Sequence, residues 1–290
     1  MQEEVFTISK DGFMAELYKP EKDLYPGKVI IAFSGSDGIF ALSKKLANKF
    51  VEAGLTTMAV AYWNEEGLPK SLCHIPLEYL GTIGNFLKQR GYEKIGLWGI
   101  SMGAEYALLA ASYMPDLFSC VVAGSPIYFS TQGLTEKKLN AHGSTFSWNG
   151  KDIPYTPYKE EMTKGKAIKN ILKRKEYSVR FMYDSIASNP KKDSIIPVTN
   201  MKASVLVFSG QLDSMWPSYE SGIKIMEQLD QVNYPYPHEH YTYELGSHYM
   251  VPMSLKSDKL FVAERKYPEE SKKYKEDIWN KTISFLADKW

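Results

Sequence analysis

Short apolar runs alternate with segments of helical length along the first half of the chain. Four such runs stand out, over 29–33, 57–62, 95–100 and 120–123. The segments between them predict helices over 41–53, 76–90 and 102–113. Strands that are apolar along their whole length, alternating with helices, indicate a parallel sheet that is covered by helices on both faces.

The pattern is less regular outside this region. Near the start, residues 4–19 predict two short strands around the turn dipeptide Asp11-Gly12. Late in the chain, two further strands are predicted over 204–209 and 240–245, followed by a terminal helix over 269–287. These elements are expected to complete the same sheet and its covering layer.

The stretch 127–200 interrupts the alternation and is too long for a simple connection inside a compact domain. It contains helical pieces near 160–175 and 178–188. We therefore expect a single α/β domain over 1–290, with a lid inserted at about 127–200.

Composition and charge limit the class of protein. Hydrophobic residues make up 44% of the chain and charged residues 24%, as is usual for a soluble globular protein. The formal net charge of +1 gives no reason to expect a nucleic-acid partner. No secretory signal is apparent, and no apolar run reaches the ~18 residues of a membrane span. Cys73 and Cys120 are expected to be free thiols in a reducing compartment, so we predict a cytoplasmic location.

Residues 99–103 fit the G-x-S-x-G pattern of a nucleophile elbow. A strand is predicted directly before Ser101 and a helix directly after it, which is the context that the motif requires. The turn is tight, so side chains at Gly99 and Gly103 would clash. It lifts the Ser101 hydroxyl above the sheet at a helix N-terminus, where the helix dipole favours developing negative charge. Ser101 is the candidate nucleophile, against the alternative of a capping serine in an ordinary turn.

A serine nucleophile needs an adjacent base, and the chain has five histidines. His248 comes just past the last predicted strand, which fits the chain order serine, acid, histidine. His74 and His142 precede the predicted acid and break this order. His238 and His240 share one strand face, but no third ligand accompanies them, so no metal site is predicted. His248 is therefore the candidate base.

The acid of such a triad orients the histidine and stabilises its charged form. Asp213 follows the predicted strand 204–209 and so lies at the carboxyl edge of the sheet, where ligands bind in α/β folds. Pro217 suits the first turn of the helix that follows. Glu244 is the rival, but a strand interior is the wrong place for a triad acid. Asp213 is the candidate acid, against the alternative that it merely occupies a turn.

The oxyanion of a tetrahedral intermediate needs backbone donors that are already in place. One is expected to be the N–H of Met102, the residue after the nucleophile. The other is expected from the loop 34–38 after the first parallel strand, where we predict Ser36. This loop lacks the spacing and the lysine of a phosphate-binding loop. No cofactor is predicted.

Several segments resemble the C-terminal domain shared by acyl-CoA thioesterases and bile acid-CoA:amino acid N-acyltransferase. They are AVAYWNEEGLPK, IPLEYL, GISMGAEYALLAASY, STFSWNGKDIPYTP, SGQLDSMWPS and YPHEHYTYELGSHY. The resemblance covers about 28–252 and implies the α/β-hydrolase fold, a mostly parallel twisted sheet with helices on both faces. The triad of that family carries onto Ser101, Asp213 and His248.

The resemblance also implies a reaction, the hydrolysis of acyl-CoA to free acid and coenzyme A through an acyl-enzyme on Ser101. The amino-acid-conjugating family member uses cysteine as nucleophile, so serine implies hydrolysis rather than conjugation. Longer members carry an N-terminal β-sandwich domain, which is expected to be absent because only about 27 residues precede the first parallel strand. Alternatives are a carboxylesterase acting on oxygen esters, an acyltransferase and a non-catalytic binding protein.

The predicted lid carries a surplus of positive charge. Residues 127–200 contain 13 lysines and arginines against 7 aspartates and glutamates. A lysine-rich rim would steer a polyanion such as coenzyme A. The alternative is that the basic residues of one segment simply solvate a helix. These residues are Lys164, Lys166, Lys169, Lys173, Arg174 and Lys175.

Overall fold

The computed structural model describes residues 2–159, 171–173, 175–176 and 178–290, and its centre is an eight-stranded sheet. The strands are β1 (Gln2–Phe6), β2 (Met14–Lys19), β3 (Lys28–Phe33), β4 (Thr57–Ala61), β5 (Lys94–Ile100), β6 (Cys120–Gly124), β7 (Ser204–Gly210) and β8 (His238–Tyr243). Their order across the sheet is β1-β2-β4-β3-β5-β6-β7-β8. β2 is antiparallel to both of its neighbours, whereas β3 to β8 are mutually parallel. The predicted parallel sheet is confirmed.

Helices cover both faces of this sheet. Within the described residues, the α-helices longer than three residues are α1 (Ile8–Asp11), α2 (Phe40–Glu52), α3 (Glu78–Gln89), α4 (Met102–Tyr113), α5 (Arg180–Ala187), α6 (Ser218–Gln231), α7 (Val262–Lys266) and α8 (Pro268–Asp288). Short 3-10 turns lie at Lys192–Ser194, Val198–Asn200 and Lys256–Leu260. Along the ranges described above, no helix is both long and apolar enough to cross a membrane.

Each inner strand contributes to two separate cores. Ile31 and Phe33 of β3 pack in the core that holds side chains of α3, α4 and α6. Ile30 and Ala32 of the same strand pack in the core that holds side chains of α2 and α8. Because successive strand residues point to opposite faces, a strand covered on both sides is apolar at every position.

The carboxyl ends of the central strands meet at one edge of the sheet. Phe33 is paired with Gly99, and Ile100 is paired with Gly124, so β3, β5 and β6 end side by side. Gly124 is also paired with Phe208 of β7. The loops that follow these four strands therefore converge on the same region, which is where ligands bind in open α/β sheets.

The segment between β6 and β7 builds small sheets of its own. Gln132–Leu134 and Asn140–Ser144 form an antiparallel hairpin. Phe146–Trp148 pairs with Ile75–Pro76 and with Lys151–Asp152. The sequence does not predict these strands, because two to five residues leave too few positions to show a clear alternation.

Of the two helices predicted for this segment, one is observed and the other lies mostly outside the described residues. The helix predicted near 178–188 corresponds to α5, which begins two residues later and ends one residue earlier than expected. For the helix predicted near 160–175, residues 160–170 and 174 lie outside the described residues, including Lys164, Lys166, Lys169 and Arg174. Lys173 and Lys175 are described, and both are exposed.

Two local features differ from the prediction. The last strand is predicted over 240–245, but β8 covers His238–Tyr243 because a turn closes from the Gly246 N–H to the Tyr243 oxygen at 3.0 Å. Glu244 therefore lies in a turn and not in a strand interior, so the predicted reason for rejecting it as the acid is wrong. Between β1 and β2, the one-turn helix α1 replaces the predicted simple turn and ends at Gly12 with φ 78°.

Candidate active site

Ser101 lies at the sharp turn between β5 and α4. Its backbone has φ 57° and ψ −124°, a strained conformation of the kind that clusters at functional sites. A Cβ on Gly99 would lie 2.2 Å from the Gly103 oxygen, and a Cβ on Gly103 would lie 2.4 Å from the Ser34 oxygen. Both positions are thus closed to a side chain. The Ser101 N–H donates to the Gly124 oxygen at 2.9 Å, which ties the turn to β6.

Asp213 and His248 form a buried pair, with exposures of 2% and 4%. His248 Nδ1 lies 2.8 Å from Asp213 Oδ2 and 3.0 Å from Oδ1. The carboxylate also accepts hydrogen bonds from the N–H groups of Met215 and Trp216, at 2.8 and 3.2 Å, and from Ser218 Oγ at 2.6 Å. These donors hold the carboxylate in one orientation, so the carboxylate in turn fixes the plane of the imidazole.

Ser101 and His248 line one cavity of about 220 Å³ at the carboxyl edge of the sheet. Of the five histidines, all of which the structure describes, His248 lines this cavity. The walls are largely apolar and come in part from the segment between β6 and β7. They include Leu134, Val179, Met182, Tyr183, Met215 and Trp216. The cavity therefore brings the candidate nucleophile and the candidate base together beside a largely apolar wall.

The two residues predicted as backbone donors, Ser36 and Met102, line the same cavity. Gly35 packs against the elbow, since a Cβ on it would lie 2.7 Å from the Ile100 oxygen and 3.1 Å from Ser101 Cβ. The same Cβ would lie 3.5 Å from the Met102 nitrogen. The Gly35–Ser36 peptide is therefore a close neighbour of the Ser101–Met102 peptide.

The His248 loop is fixed from a second side by Ser125, which follows β6. Ser125 Oγ donates to the His248 oxygen at 2.6 Å, and Trp216 Nε1 donates to the Ser125 oxygen at 2.9 Å. The Trp216 ring stands edge-on to the imidazole, with the ring centroids 5.8 Å apart. Sequence reasoning does not identify Ser125, because no local pattern distinguishes it from an ordinary turn residue.

Three of the other histidines have partners elsewhere in the structure. His74 Nε2 lies 2.9 Å from Asp152 Oδ1, and His238 Nε2 lies 3.0 Å from Asp230 Oδ1. His240 Nε2 lies 2.7 Å from Ser209 Oγ, and burial lowers the pKa of His240 to about 4. The two residues predicted to share one strand face therefore differ in surroundings, since the His240 ring is half-buried and hydrogen-bonded to Ser209.

A buried carboxyl group, Glu105, lies on α4 four residues after Ser101. Its Oε1 accepts from the Thr131 N–H at 2.8 Å, and its Oε2 accepts from Thr131 Oγ1 at 2.9 Å. Burial raises the pKa of Glu105 to about 8. Sequence reasoning misses this residue, although one glutamate among the small and apolar residues of α4 was a visible signal.

Lys138 is a second charged residue that sequence reasoning misses, and it lines the cavity beside Ser36. Its Nζ donates to the Ser36 oxygen at 2.7 Å and lies 3.8 Å from the centroid of the Trp63 ring. Burial lowers the pKa of Lys138 to about 8, and the nearby Asp37 opposes that shift. Nothing in the local sequence distinguishes Lys138 from the many other lysines.

The sheet order and the strand–turn–helix at Ser101 define an α/β-hydrolase fold. Among solved structures, a thermophilic esterase from the Planctomycetes species Thermogutta terrifontis is similar, with a TM-score of 0.54 and 16% sequence identity. The match covers 100% of this chain and 96% of that one. At this identity the likeness concerns the fold, and the predicted fold class is confirmed.

Residues 75–289 match the sequence model of the family described as BAAT / Acyl-CoA thioester hydrolase C terminal. The chain belongs to this family, which confirms the predicted resemblance. Acyl-coenzyme A thioesterase 1 of Mus musculus is 27% identical over 237 residues, which are 80% of this chain and 50% of that protein. Acyl-coenzyme A thioesterase 2, mitochondrial, of Mus musculus is 27% identical over 237 residues, 80% of this chain and 47% of that protein. The chain spans about half the length of these curated relatives. Family and fold together support a hydrolase.

Proposed function

We propose that the chain is a serine hydrolase that cleaves acyl thioesters, with acyl-CoA as the favoured substrate. One observation carries the proposal. Ser101 stands in a strained turn on the same cavity as His248, whose Nδ1 lies 2.8 Å from Asp213 Oδ2. The family match and the names of the relatives, both acyl-coenzyme A thioesterases, support the thioester as the bond that is broken.

In the first half-reaction, Ser101 Oγ attacks the acyl carbonyl carbon while His248 Nε2 accepts the hydroxyl proton. Asp213 accepts a hydrogen bond from the Nδ1–H of His248, which leaves Nε2 as the basic nitrogen. The carbonyl oxygen becomes an oxyanion, to which the N–H groups of Met102 and Ser36 donate. When the carbon–sulfur bond breaks, the imidazolium returns its proton to the leaving sulfur of coenzyme A.

In the second half-reaction, water takes the place of the thiol. His248 accepts a proton from the water as its oxygen adds to the acyl carbon. The bond between that carbon and Ser101 Oγ then breaks, and the imidazolium returns the proton to Ser101. The products are the free acid and the regenerated serine. The Asp213 carboxylate stabilises the imidazolium twice in each cycle through its hydrogen bond with Nδ1.

The walls of the cavity suit an acyl group, since apolar side chains favour the transfer of hydrocarbon out of water. Leu134, Met182 and Tyr183 on these walls belong to the segment between β6 and β7. We therefore propose that residues of about 127–200 act as a lid on a single α/β-hydrolase domain. The cytoplasm stays our predicted location, although one relative is named as mitochondrial.

An oxygen ester would pass through the same type of tetrahedral intermediate, so the fold alone does not separate a thioesterase from a carboxylesterase. The discriminating experiment is a panel of acyl-CoAs of increasing length, each matched with the 4-nitrophenyl ester of the same acid. We expect kcat/KM to be higher for the acyl-CoA of each pair. A consistent preference for the nitrophenyl esters would replace the thioesterase by a carboxylesterase.

Labelling with a fluorophosphonate separates the serine mechanism from every non-catalytic interpretation. Wild-type protein should be labelled at Ser101, and Ser101→Ala should be neither labelled nor active. Ser112→Ala is the matched control, because Ser112 lies on the same helix and its Oγ donates to the Leu108 oxygen of that helix. Absence of labelling in wild type would overturn the serine mechanism itself.

A further inference from the structure

The loop that carries Ser36 is held by side chains from two other parts of the chain. Tyr62 Oη lies within hydrogen-bond distance of the Ser34 oxygen, at 3.2 Å, and of the Gly35 oxygen, at 3.3 Å. Trp63 Nε1 donates to the Gly35 oxygen at 3.2 Å. Lys138 Nζ donates to the Ser36 oxygen at 2.7 Å. Three successive backbone carbonyls are therefore bound by side chains.

The geometry of the peptide bond converts these contacts into an orientation of the Ser36 N–H. The Gly35 carbonyl and the Ser36 N–H belong to one planar trans peptide, so they point in opposite directions. A donor that binds the Gly35 oxygen, as Trp63 does, therefore directs the Ser36 N–H away from itself. Trp63 is 3% exposed, whereas Ser36 lines the cavity that holds Ser101.

Gly35 shows which side of the loop faces the nucleophile. A Cβ on Gly35 would stand 3.1 Å from Ser101 Cβ and 3.5 Å from the Met102 nitrogen, so the loop backbone lies directly against the elbow. A small rotation of the Gly35–Ser36 peptide would thus turn one of the two neighbouring N–H groups away from the reacting oxygen. Preorganised donors are effective because they need no reorientation during the reaction.

Lys138 connects this loop to the segment between β6 and β7. It stands in the turn of the hairpin formed by Gln132–Leu134 and Asn140–Ser144 and has φ 58°. Its ammonium lies over the Trp63 ring at 3.8 Å from the centroid and binds the Ser36 oxygen as well. One cation therefore contacts both the indole that holds Gly35 and the next carbonyl along the loop.

We propose that Trp63 and Lys138, assisted by Tyr62, are positioning residues that hold the Gly35–Ser36 peptide with its N–H directed at the oxyanion. This inference rests on the proposed function, in which Ser36 supplies one of the two backbone donors. It also gives the hairpin around Lys138 a defined task in the reaction, beyond covering the cavity.

The test compares variants that remove one donor while preserving bulk. Trp63→Phe keeps an aromatic ring and loses the Nε1–H, and Lys138→Met keeps the aliphatic stem and loses the ammonium. We expect kcat for the preferred substrate to fall by about 10- to 100-fold in each variant, with KM changed by less than about threefold, because the donor acts on charge that develops only in the transition state. Lys138→Arg, which keeps a cation and its donors, should recover most of the loss.

A trifluoromethyl ketone analogue of the acyl group provides the second readout. Ser101 adds to its carbonyl to give a hemiketal oxyanion, so its affinity reports on the donors directly. In Trp63→Phe and Lys138→Met this affinity should fall by the same factor as kcat/KM. If Trp63 and Lys138 had only a structural role, the loss of inhibitor affinity would not match the loss of kcat/KM.

Matched controls come from the opposite face of the sheet, where Lys49 Nζ lies 4.3 Å from the centroid of the Trp279 ring. Trp279→Phe and Lys49→Met repeat the same chemical changes far from the cavity and should leave kcat and inhibitor affinity unchanged.

Unchanged kcat in folded Trp63→Phe and Lys138→Met, or a change confined to KM, would overturn the positioning role. Should Trp63→Phe fail to fold, kcat and inhibitor affinity of Lys138→Met and Tyr62→Phe provide the test. Loss of the proposed function itself would appear differently, as wild-type protein without turnover that depends on Ser101.

Discussion

Ser247, the residue before His248, donates a hydrogen bond from Oγ to Glu264 Oε1 at 2.5 Å. Glu264 lies on α7 and also binds Lys275 of α8, whose Nζ is 3.1 Å from Oε2. Lys275 in turn contacts Asp258 at 2.5 Å. The loop that presents His248 is therefore anchored to the last helices of the chain by a buried ionic network.

Glu264→Ala should strongly destabilise the protein. The side chains of Glu264 and Lys275 are each 3% exposed, so the change leaves the lysine ammonium buried with one carboxylate fewer. Removing one partner of a buried pair costs about 3–5 kcal/mol in the free energy of unfolding. Urea denaturation measures this loss. Lys281→Ala breaks the more exposed pair with Asp277 on the same helix and should cost less than about 1 kcal/mol. Equal losses of unfolding free energy in the two variants would show that the buried network near His248 stabilises the protein no more than an exposed ion pair does.

Ser101→Ala should abolish turnover without unfolding the protein, since alanine fits the turn and removes only the hydroxyl. Asp213→Asn and His248→Ala should each reduce kcat by about 10⁴-fold or more, and the double variant should be little worse than the poorer single one. Circular dichroism checks the fold, and steady-state kinetics checks the rates. Losses that multiply in the double variant would mean that Asp213 and His248 do not act as one unit.

Glu105→Gln should change how stability depends on pH. Burial raises the pKa of Glu105 to about 8 in the folded protein, whereas a glutamate in an unfolded chain titrates near about 4.3. Between these values the folded state holds a proton that the unfolded state lacks. The contribution of Glu105 is therefore fully present below about pH 4.3 and is lost as pH rises to about 8.

Glutamine does not titrate, and its amide can both accept from the Thr131 N–H and donate to Thr131 Oγ1. Relative to wild type, Glu105→Gln should thus gain about 1.4 kcal/mol in unfolding free energy per pH unit across that window. Urea unfolding at pH 5, 6, 7 and 8 measures the trend. Glu227→Gln, which alters an exposed pair with Lys224, should run parallel to wild type. A parallel curve for Glu105→Gln as well would mean that Glu105 is ionised throughout.

Salt should weaken the binding of acyl-CoA if the basic surplus of residues 127–200 attracts its phosphates. The Debye length falls from ~10 Å at 0.1 M to ~3 Å at 1 M salt, so KM for acyl-CoA should rise while KM for a neutral ester of the same acid changes little. Neutralising Lys173, Arg174 and Lys175 together should have the same effect on KM and leave kcat nearly unchanged. If salt changed KM equally for both substrates, the basic residues of this segment would serve only to solvate it.

Local pattern was sufficient to predict the sheet and the positions of the candidate triad. Ile30 and Ile31 are neighbours in the chain but belong to different cores, and this two-sided burial is what makes the strands visible as unbroken apolar runs. Ser101, Asp213 and His248 each follow the end of a strand, so the parallel topology brings their loops to the same edge.

The supporting contacts could not be predicted, because they join residues with no local signature. Lys138 and Ser36 are 102 positions apart, and Ser125 and His248 are 123 positions apart. Each of these contacts depends on how a loop settles after the sheet has formed. The pairing of the short strands at 132–134 and 140–144 could not be predicted for the same reason, since it depends on the surface that these strands cover.

The arrangement of Asp213 and His248 has a kinetic consequence for refolding. The two residues are 35 positions apart and follow the neighbouring parallel strands β7 and β8, which are joined through α6. Pairing of parallel strands requires closure of a long loop, and the entropy cost of this closure arises before any strand contact forms. Such non-local steps are slow. Enzymatic turnover after dilution from denaturant should therefore return later than the helical circular dichroism signal, and its rate should report the docking of β8 on β7.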